Sequence, residues 1–106
     1  LTKEVDKKAE LVKESLDRFV REYPELKAEA RGRGLMQGVA CDVDGLAAEI
    51  CAEAFERGLI METSGPDDEV FKFLPPLIID EEGLKQGISI VEKSIQAALE
   101  KSKVGV

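Results

Sequence analysis

The stretch FKFLPPLIID, residues 71–80, decides how the chain folds. A lysine sits between two phenylalanines, and two prolines follow one leucine later. On a strand, alternate side chains face opposite ways. Phe71 and Phe73 are therefore expected to point into a covered layer, while Lys72 leaves by the other face with Val70 and Leu74. Neither Pro75 nor Pro76 can donate to a strand ladder, so pairing should end there. Asp80 then stands where a helix N-cap belongs, ahead of Leu84, Ile88, Val91, Ile95 and Leu99 at helical spacing. The segment reads as strand, stop and capped helix over 81–101. The tail KSKVGV carries no pattern and is expected to fray.

Working back from Val70, SGPDDE (64–69) supplies turn chemistry between that strand and another, Leu59–Thr63. A helix fits Leu46–Arg57, with Asp44 as its cap and Gly58 at the position after its end. Its inner face would be Leu46, Ala47, Ile50, Cys51, Ala54 and Phe55. Further upstream, strands over 28–31 and Leu35–Cys41 flank a Gly32-Arg33-Gly34 turn. Residues 3–23 read as one long helix, because Val5, Ala9, Val12, Leu16, Phe19, Val20 and Tyr23 recur at helical spacing. Thr2 is its expected cap and Pro24 its stop. Glu4–Lys8, Glu14–Arg18 and Asp17–Arg21 have the spacing that supports an exposed helical face.

The order is helix, strand, strand, helix, strand, strand, helix. That pattern predicts an α+β domain with a three- to four-stranded, mostly antiparallel sheet and three helices on one face. Strand 70–74 should lie between strands 35–41 and 59–63, as in a split βαβ unit, with a right-handed crossover joining those two.

The chain has 106 residues, sufficient for one domain over 1–106 and too few for two. With four Phe, one Tyr and no Trp, its core must be aliphatic. Fifteen basic against 22 acidic residues give a net charge of −7, which repels phosphate backbones and anionic membranes. Nucleic acid and membrane are therefore not expected partners. No apolar run approaches the ~20 residues of a membrane span. The N-terminus LTKEVDKKAE is charged throughout, unlike a signal peptide, and its first residue is Leu rather than Met, as in a processed or excised piece. There is no His, which removes the commonest zinc ligand and the commonest general base. Cys41 and Cys51 fit neither a CxxC motif nor a disulfide framework and read as packed thiols. These features describe a reduced, cytoplasmic protein without a metal.

Several motifs fail on inspection. Glycines 32, 34 and 38 approach a dinucleotide fingerprint, but a strand rather than a helix follows them. A tight turn at Gly32 and Gly34 and a close approach at Gly38 explain them better. DVDG (42–45) lacks the third acidic position and the distant Glu of a calcium loop. The acidic runs at 67–69 and 80–82 suit a solvated loop tip and a helix start.

Taken in order, ARGRGLMQGVACD (30–42), AFERGLIMETSG (54–65) and VFKFLPPLIIDEEGL (70–84), then a terminal amphipathic helix, closely resemble the C-terminal small domain of class III pyridoxal-phosphate aminotransferases. The resemblance covers nearly the whole chain. Within that family, RGRGLMQG and GLIMETSG are most similar to the diaminobutyrate–2-oxoglutarate branch, which serves ectoine synthesis; the ornithine, acetylornithine and 4-aminobutyrate branches are the alternatives. The resemblance implies amino-group transfer between glutamate and 2-oxoglutarate on one side, and aspartate semialdehyde and diaminobutyrate on the other. It places the Schiff-base lysine and the phosphate cup of the pyridoxal phosphate site in a large domain, so no catalytic or cofactor-binding residue is expected here and the chain alone should be inactive. The implied partners are that large domain and a second subunit, in a homodimer or higher assembly. Many relatives carry, ahead of FxPP, an Arg implied to bind a substrate carboxylate. Lys72 occupies that position, and an ammonium is a point charge that lacks the bidentate fork of a guanidinium. The reading from a different class is an independent ligand-binding or dimerisation module of the same topology. Val70 and Leu74 around Lys72 weigh against it, because they suit burial under a partner.

Overall fold

The computed structural model describes residues 3–33, 36–75 and 79–104. The chain opens with helix α1 (Lys3–Glu22) and a short 3-10 turn at Pro24–Leu26. Strands β1 (Ala28–Arg33) and β2 (Met36–Cys41) form a hairpin, and helix α2 (Leu46–Glu56) follows. Strands β3 (Glu62–Ser64) and β4 (Val70–Phe73) then lead to helix α3 (Glu81–Val104). The sheet order is β1-β2-β4-β3, and each neighbouring pair is antiparallel. The strand that follows the turn at 64–69 thus inserts between the hairpin and β3, as its predicted central position requires.

Alternation on β4 does what the opening stretch predicts. Phe71 and Phe73 are fully buried among Val12, Leu16 and Phe19 of α1, Ile50 of α2 and Leu84 of α3. Each ring removed from water stabilises the fold by about 1.5–3 kcal/mol, so this pair anchors the sheet to the helices. Gly87 of α3 makes room for Phe73, whose Cζ lies 3.2 Å from where a Cβ would stand. On β2 the inward Gln37 donates from Nε2 to the Ala9 carbonyl of α1 at 3.0 Å, which satisfies a buried amide. Helices cover this face, and Met36 and Leu74 are exposed on the other.

The element ends behave as their residues dictate, with exceptions. Asp80 caps α3 by accepting from the Gly83 N–H at 2.7 Å. Gly58, at φ +89°, closes α2: its N–H donates to Phe55 and that of Leu59 to Ala54, a Schellman arrangement. Because Leu59 is spent there, β3 begins at Glu62 and not at Leu59. Asp44 does not cap α2; Gly45, in the left-handed region, holds that position without a side-chain bond. Gly32 and Arg33 belong to β1 and not to a turn, since Gly32 pairs with Gln37. Gly32 is required there, because a Cβ would collide with the Met36 carbonyl oxygen. Gly34, Leu35, Pro76, the Thr2 cap and the end of the tail at 105–106 lie outside the described residues, as does the Glu4 side chain.

Phe55 is 69% exposed and not part of the inner face of α2, which is built from Leu46, Ala47, Ile50 and Ala54. The tail also departs from expectation, for α3 runs to Val104. Lys101 is the reason. Its ammonium bridges back to Glu53 at 2.5 Å and Glu49 at 3.0 Å on α2. On α1 the described ion pairs are Lys13–Asp17 and Arg18–Glu22, and not the expected Glu14–Arg18 and Asp17–Arg21. Arg18 is drawn away by α3, where Glu92 receives both of its terminal nitrogens at 3.1 Å.

Candidate functional site

The strand register places Lys72 at the centre of the uncovered face. Its partners across β4 are Gly38 on β2 and Glu62 on β3, and Gly38 in turn faces Arg31 on β1. Opposed residues of antiparallel strands share a face. Arg31, Gly38, Lys72 and Glu62 therefore form one row across the outer side of the sheet. To one side of the row are Met36 and Leu74, 75% and 44% exposed. To the other lie Glu29, Ala40, Val70 and Ser64, of which Ala40 and Val70 are nearly covered.

Gly38 matters to this row twice. A Cβ there would stand 2.6 Å from the Phe71 carbonyl oxygen and 3.2 Å from Val70 Cγ1, so only glycine lets β2 and β4 pair at this register. The same missing side chain leaves one flank of Lys72 open. Within the row, Arg31 is committed to Glu29 through Nε at 2.8 Å. Among the described residues, neither the Lys72 ammonium nor the Glu62 carboxylate has a hydrogen bond or an ion pair. The face thus presents one uncommitted cation beside one uncommitted anion, with an apolar margin. Such a surface can hold a carboxylate by a charge-assisted bond, but it offers no nucleophile with an attendant base.

A cleft of about 530 Å³ lies at the far end of the sheet, between Lys27, Glu29, Arg31, Asp42, Asp67 and Glu69. Lys72 does not line it, and its surplus of carboxylates would repel an anionic substrate. The remaining charged clusters tie helices together. Glu53, buried on α2, is held below the usual carboxylate range first by Lys101 and then by Arg57, whose Nη1 lies 2.8 Å away. Glu92 is likewise lowered, chiefly by Arg18, and also accepts from the Tyr23 hydroxyl at 2.7 Å. Burial pushes the Cys41 thiol up to about 12 and that of Cys51 up to about 11, as expected of packed thiols.

Lys72 thus lies on the face expected from the alternation of its strand. Glu62, Glu53 and Glu92 were not singled out from sequence. Glu62 becomes visible only once the β3–β4 register is known, because it stands ten positions before Lys72 in the chain. Among the described residues, no group of three or more His, Cys, Asp or Glu could hold a metal ion, and no helix is long and apolar enough to cross a membrane.

Comparison with known proteins identifies the surroundings of this fold. The aminotransferase class-III family matches residues 1–95. A diaminobutyrate–2-oxoglutarate transaminase of Oceanobacillus iheyensis is 63% identical over 97 residues, which are 92% of this chain and 23% of that protein. The enzyme of the same name from Halalkalibacterium halodurans is 53% identical, again over 92% of this chain and 23% of its own. Among solved structures, an N-acetylornithine aminotransferase from Stenotrophomonas maltophilia superposes with a TM-score of 0.78 at 30% identity, over 92% of this chain and 26% of that one. An ornithine aminotransferase from Toxoplasma gondii gives 0.75 at 28%, over 92% and 24%. The chain spans about a quarter of the length of the relatives it matches.

Proposed function

The chain belongs to the class III aminotransferases, and we propose on that premise that it is the C-terminal small domain of a cytoplasmic diaminobutyrate–2-oxoglutarate transaminase. The observation that carries this reading is the 63% identity to an enzyme of that name across nearly the whole chain. The reaction exchanges ammonia for oxygen between two carbons. C4 of L-2,4-diaminobutyrate loses its amine and is oxidised to the aldehyde of L-aspartate 4-semialdehyde. C2 of 2-oxoglutarate loses its oxo oxygen, gains the amine and is reduced to L-glutamate. The two-electron balance closes between the substrates, and the reverse direction supplies diaminobutyrate to ectoine synthesis.

The family uses pyridoxal phosphate, which supplies the electron sink that such an exchange needs. The residues of this chain do not fit that group. Lys72 stands on an open strand face beside the Glu62 carboxylate, which would repel a phosphate, and no helix N-terminus belongs to its row. Cofactor binding and bond making are therefore assigned to the large domain of the full-length enzyme, with a second subunit completing the assembly. The part of this chain in the reaction is to close the site and hold substrate. The outer sheet face, with its exposed Met36 and Leu74, is the side that the large domain covers. Under that cover Lys72 is partly desolvated and donates to a substrate carboxylate.

The test is steady-state kinetics of full-length Lys72→Ala. A charge-assisted contact of about 1.5–3 kcal/mol corresponds to a rise of about 10- to 100-fold in the Michaelis constants of the carboxylate substrates. Cofactor absorbance and fold should be unchanged, and the 106-residue chain mixed with pyridoxal phosphate should show no turnover. Unaltered constants for both glutamate and diaminobutyrate would reduce Lys72 to a solvated charge, and turnover by the chain alone would overturn the assignment of chemistry to a separate domain.

A further inference from the structure

Strand β1 forms one border of the sheet, with β2 on its inner side and no strand on its outer side among the described residues. Which of its backbone groups point outward follows from one bond just before it. The Asp42 N–H donates to the Lys27 carbonyl at 3.0 Å, one rung ahead of the Ala28–Cys41 pair. Hydrogen-bonded rungs alternate along an antiparallel ladder. Glu29 and Arg31 therefore bond to Ala40 and Gly38 of β2, whereas Ala28, Ala30 and Gly32 turn their N–H and C=O groups outward. The Cys41 N–H donates to Glu69 on the β4 side, as this alternation requires. Among the described residues, none of the outward groups has a partner.

Open edges are ordinarily blunted by proline, a bulge, very short length or charges that repel a neighbour. The opposite border, β3, is only three residues long. β1 runs for six, contains no proline and pairs with β2 without a bulge. Its charges do not repel a second copy either. Glu29 and Arg31, both exposed, carry opposite signs and pair with each other along the strand at 2.8 Å. Two copies placed antiparallel about a two-fold axis at Ala30 are complementary. Ala28 meets Gly32 of the second copy and Ala30 meets its own equivalent, so every outward N–H finds a carbonyl. Glu29 opposes Arg31 of the second copy, and Arg31 opposes Glu29 of the second copy. These are the rungs on which side chains approach most closely. Moving the axis to Glu29 or to Arg31 sets like charges opposite each other, which is penalised. The charges thus select one register. Lys27, at φ +48°, turns the chain out of the strand and ends the ladder.

We infer that β1 is an interface for a second copy of this chain: two β1 edges pair antiparallel about Ala30 and join two sheets into one, with Glu29 and Arg31 of each copy meeting the opposite charge on the other. The interface is isologous, so for the chain alone it closes at two copies. The pairing lies in the plane of the sheet and uses neither Lys72 nor Met36 and Leu74, so it stands independently of the function proposed above. In the full-length enzyme it adds a subunit contact through the small domains.

The experiment is sedimentation equilibrium on the 106-residue chain and on full-length enzyme, with the charges reversed singly and then in mixture. Glu29→Arg and Arg31→Glu each turn both contacts between the copies into like-charge contacts, and should weaken self-association about 10-fold or more. In an equimolar mixture one copy bears arginine at both positions and the other glutamate, so both contacts return and the mixture should associate as tightly as the parent. Ala30→Pro removes an outward N–H and spares the β1–β2 ladder. It should also weaken the association, with circular dichroism showing that the fold is kept. In full-length enzyme each charge variant should have a lower mass than the parent and regain it on mixing. A 106-residue chain that stays monomeric at its highest soluble concentration overturns the inference, as does a loss that mixing does not repair. Full-length masses that are identical in parent, variants and mixture overturn it as well.

Discussion

Replacing Gly38 by alanine adds one methyl group at the point where β2 and β4 meet. In the native geometry that methyl would stand 2.6 Å from the Phe71 carbonyl oxygen and 3.4 Å from the Lys72 Cα, both backbone atoms that no rotamer change can move. Val70 Cγ1, at 3.2 Å, could turn aside, but the carbonyl cannot. The strands must therefore separate locally, and the cost should fall in the range of about 1–3 kcal/mol seen for overpacked sites. Gly45→Ala is the matched control. Gly45 also has a special conformation, φ +76°, but nothing stands within 4 Å of its Cβ position, so only backbone strain of about 1 kcal/mol remains. Urea denaturation of the 106-residue chain, followed by circular dichroism, should shift the midpoint for Gly38→Ala by about 1 M, given slopes of about 1–3 kcal/mol per molar. In the full-length enzyme the same variant should raise substrate Michaelis constants, because β4 carries Lys72. A Gly38→Ala protein as stable as its parent would show that β2 and β4 do not pair at this register, and the row of Arg31, Gly38, Lys72 and Glu62 would dissolve with it.

Two further expectations concern titration and thiols. Glu92 and Glu53 both have lowered carboxyl values in the folded chain, the first chiefly through Arg18 and the second chiefly through Lys101. Their contributions are complete above the ordinary glutamate range near 4.5 and disappear as pH falls through the lowered folded values. Acid titration of stability should therefore be shallower in Glu92→Gln than in the parent. The loss at neutral pH should be no more than about 1 kcal/mol, because Arg18 is 37% exposed and water screens the pair. A steeper acid profile in Glu92→Gln would contradict the assignment. Cys41, buried and with its thiol raised to about 12, should react with a thiol-labelling reagent at neutral pH only as fast as the chain unfolds, whereas the half-buried Cys51, raised to about 11, should label slowly but ahead of it. Rapid labelling of Cys41 in the native state would mean that the end of β2 is open.

What could be read from the sequence was carried by local rules. Phe71, Lys72 and Phe73 sort by strand alternation alone. Asp80 caps α3 and Gly58 ends α2 because each needs only its own next few residues. Phe55 was misassigned because it borders the apolar stripe of α2 without belonging to it; helical spacing alone does not say where a stripe ends. The tail was misread for a different reason. Nothing near Lys101 in the chain indicates helix, and what extends α3 is the pair of carboxylates on α2, around fifty positions upstream. Glu53 is the counterpart of that error: an acidic residue on the α2 surface by pattern, buried in fact because two cations enclose it. Charges that settle the packing of helices are therefore a tertiary property, whereas charges that end or cap them are a local one.

The same distinction explains why Lys72 was legible and Glu62, its cross-strand partner, was not. Lys72 draws notice because a charge between two buried rings breaks an apolar run. Glu62 breaks nothing, since it sits in METSG, where an acidic residue on a short edge strand looks like ordinary solvation. Its meaning comes from the insertion of β4 between β2 and β3, which sets Glu62 opposite Lys72 and Gly38 on the far side. Were β4 an edge strand beside β3 alone, Lys72 would face water on one side, and the flank kept bare by Gly38 would not exist. The central position of β4 therefore links the turn chemistry of residues 64–69 to recognition. It holds Lys72 in the middle of the face, with an anion on one side and an open flank on the other.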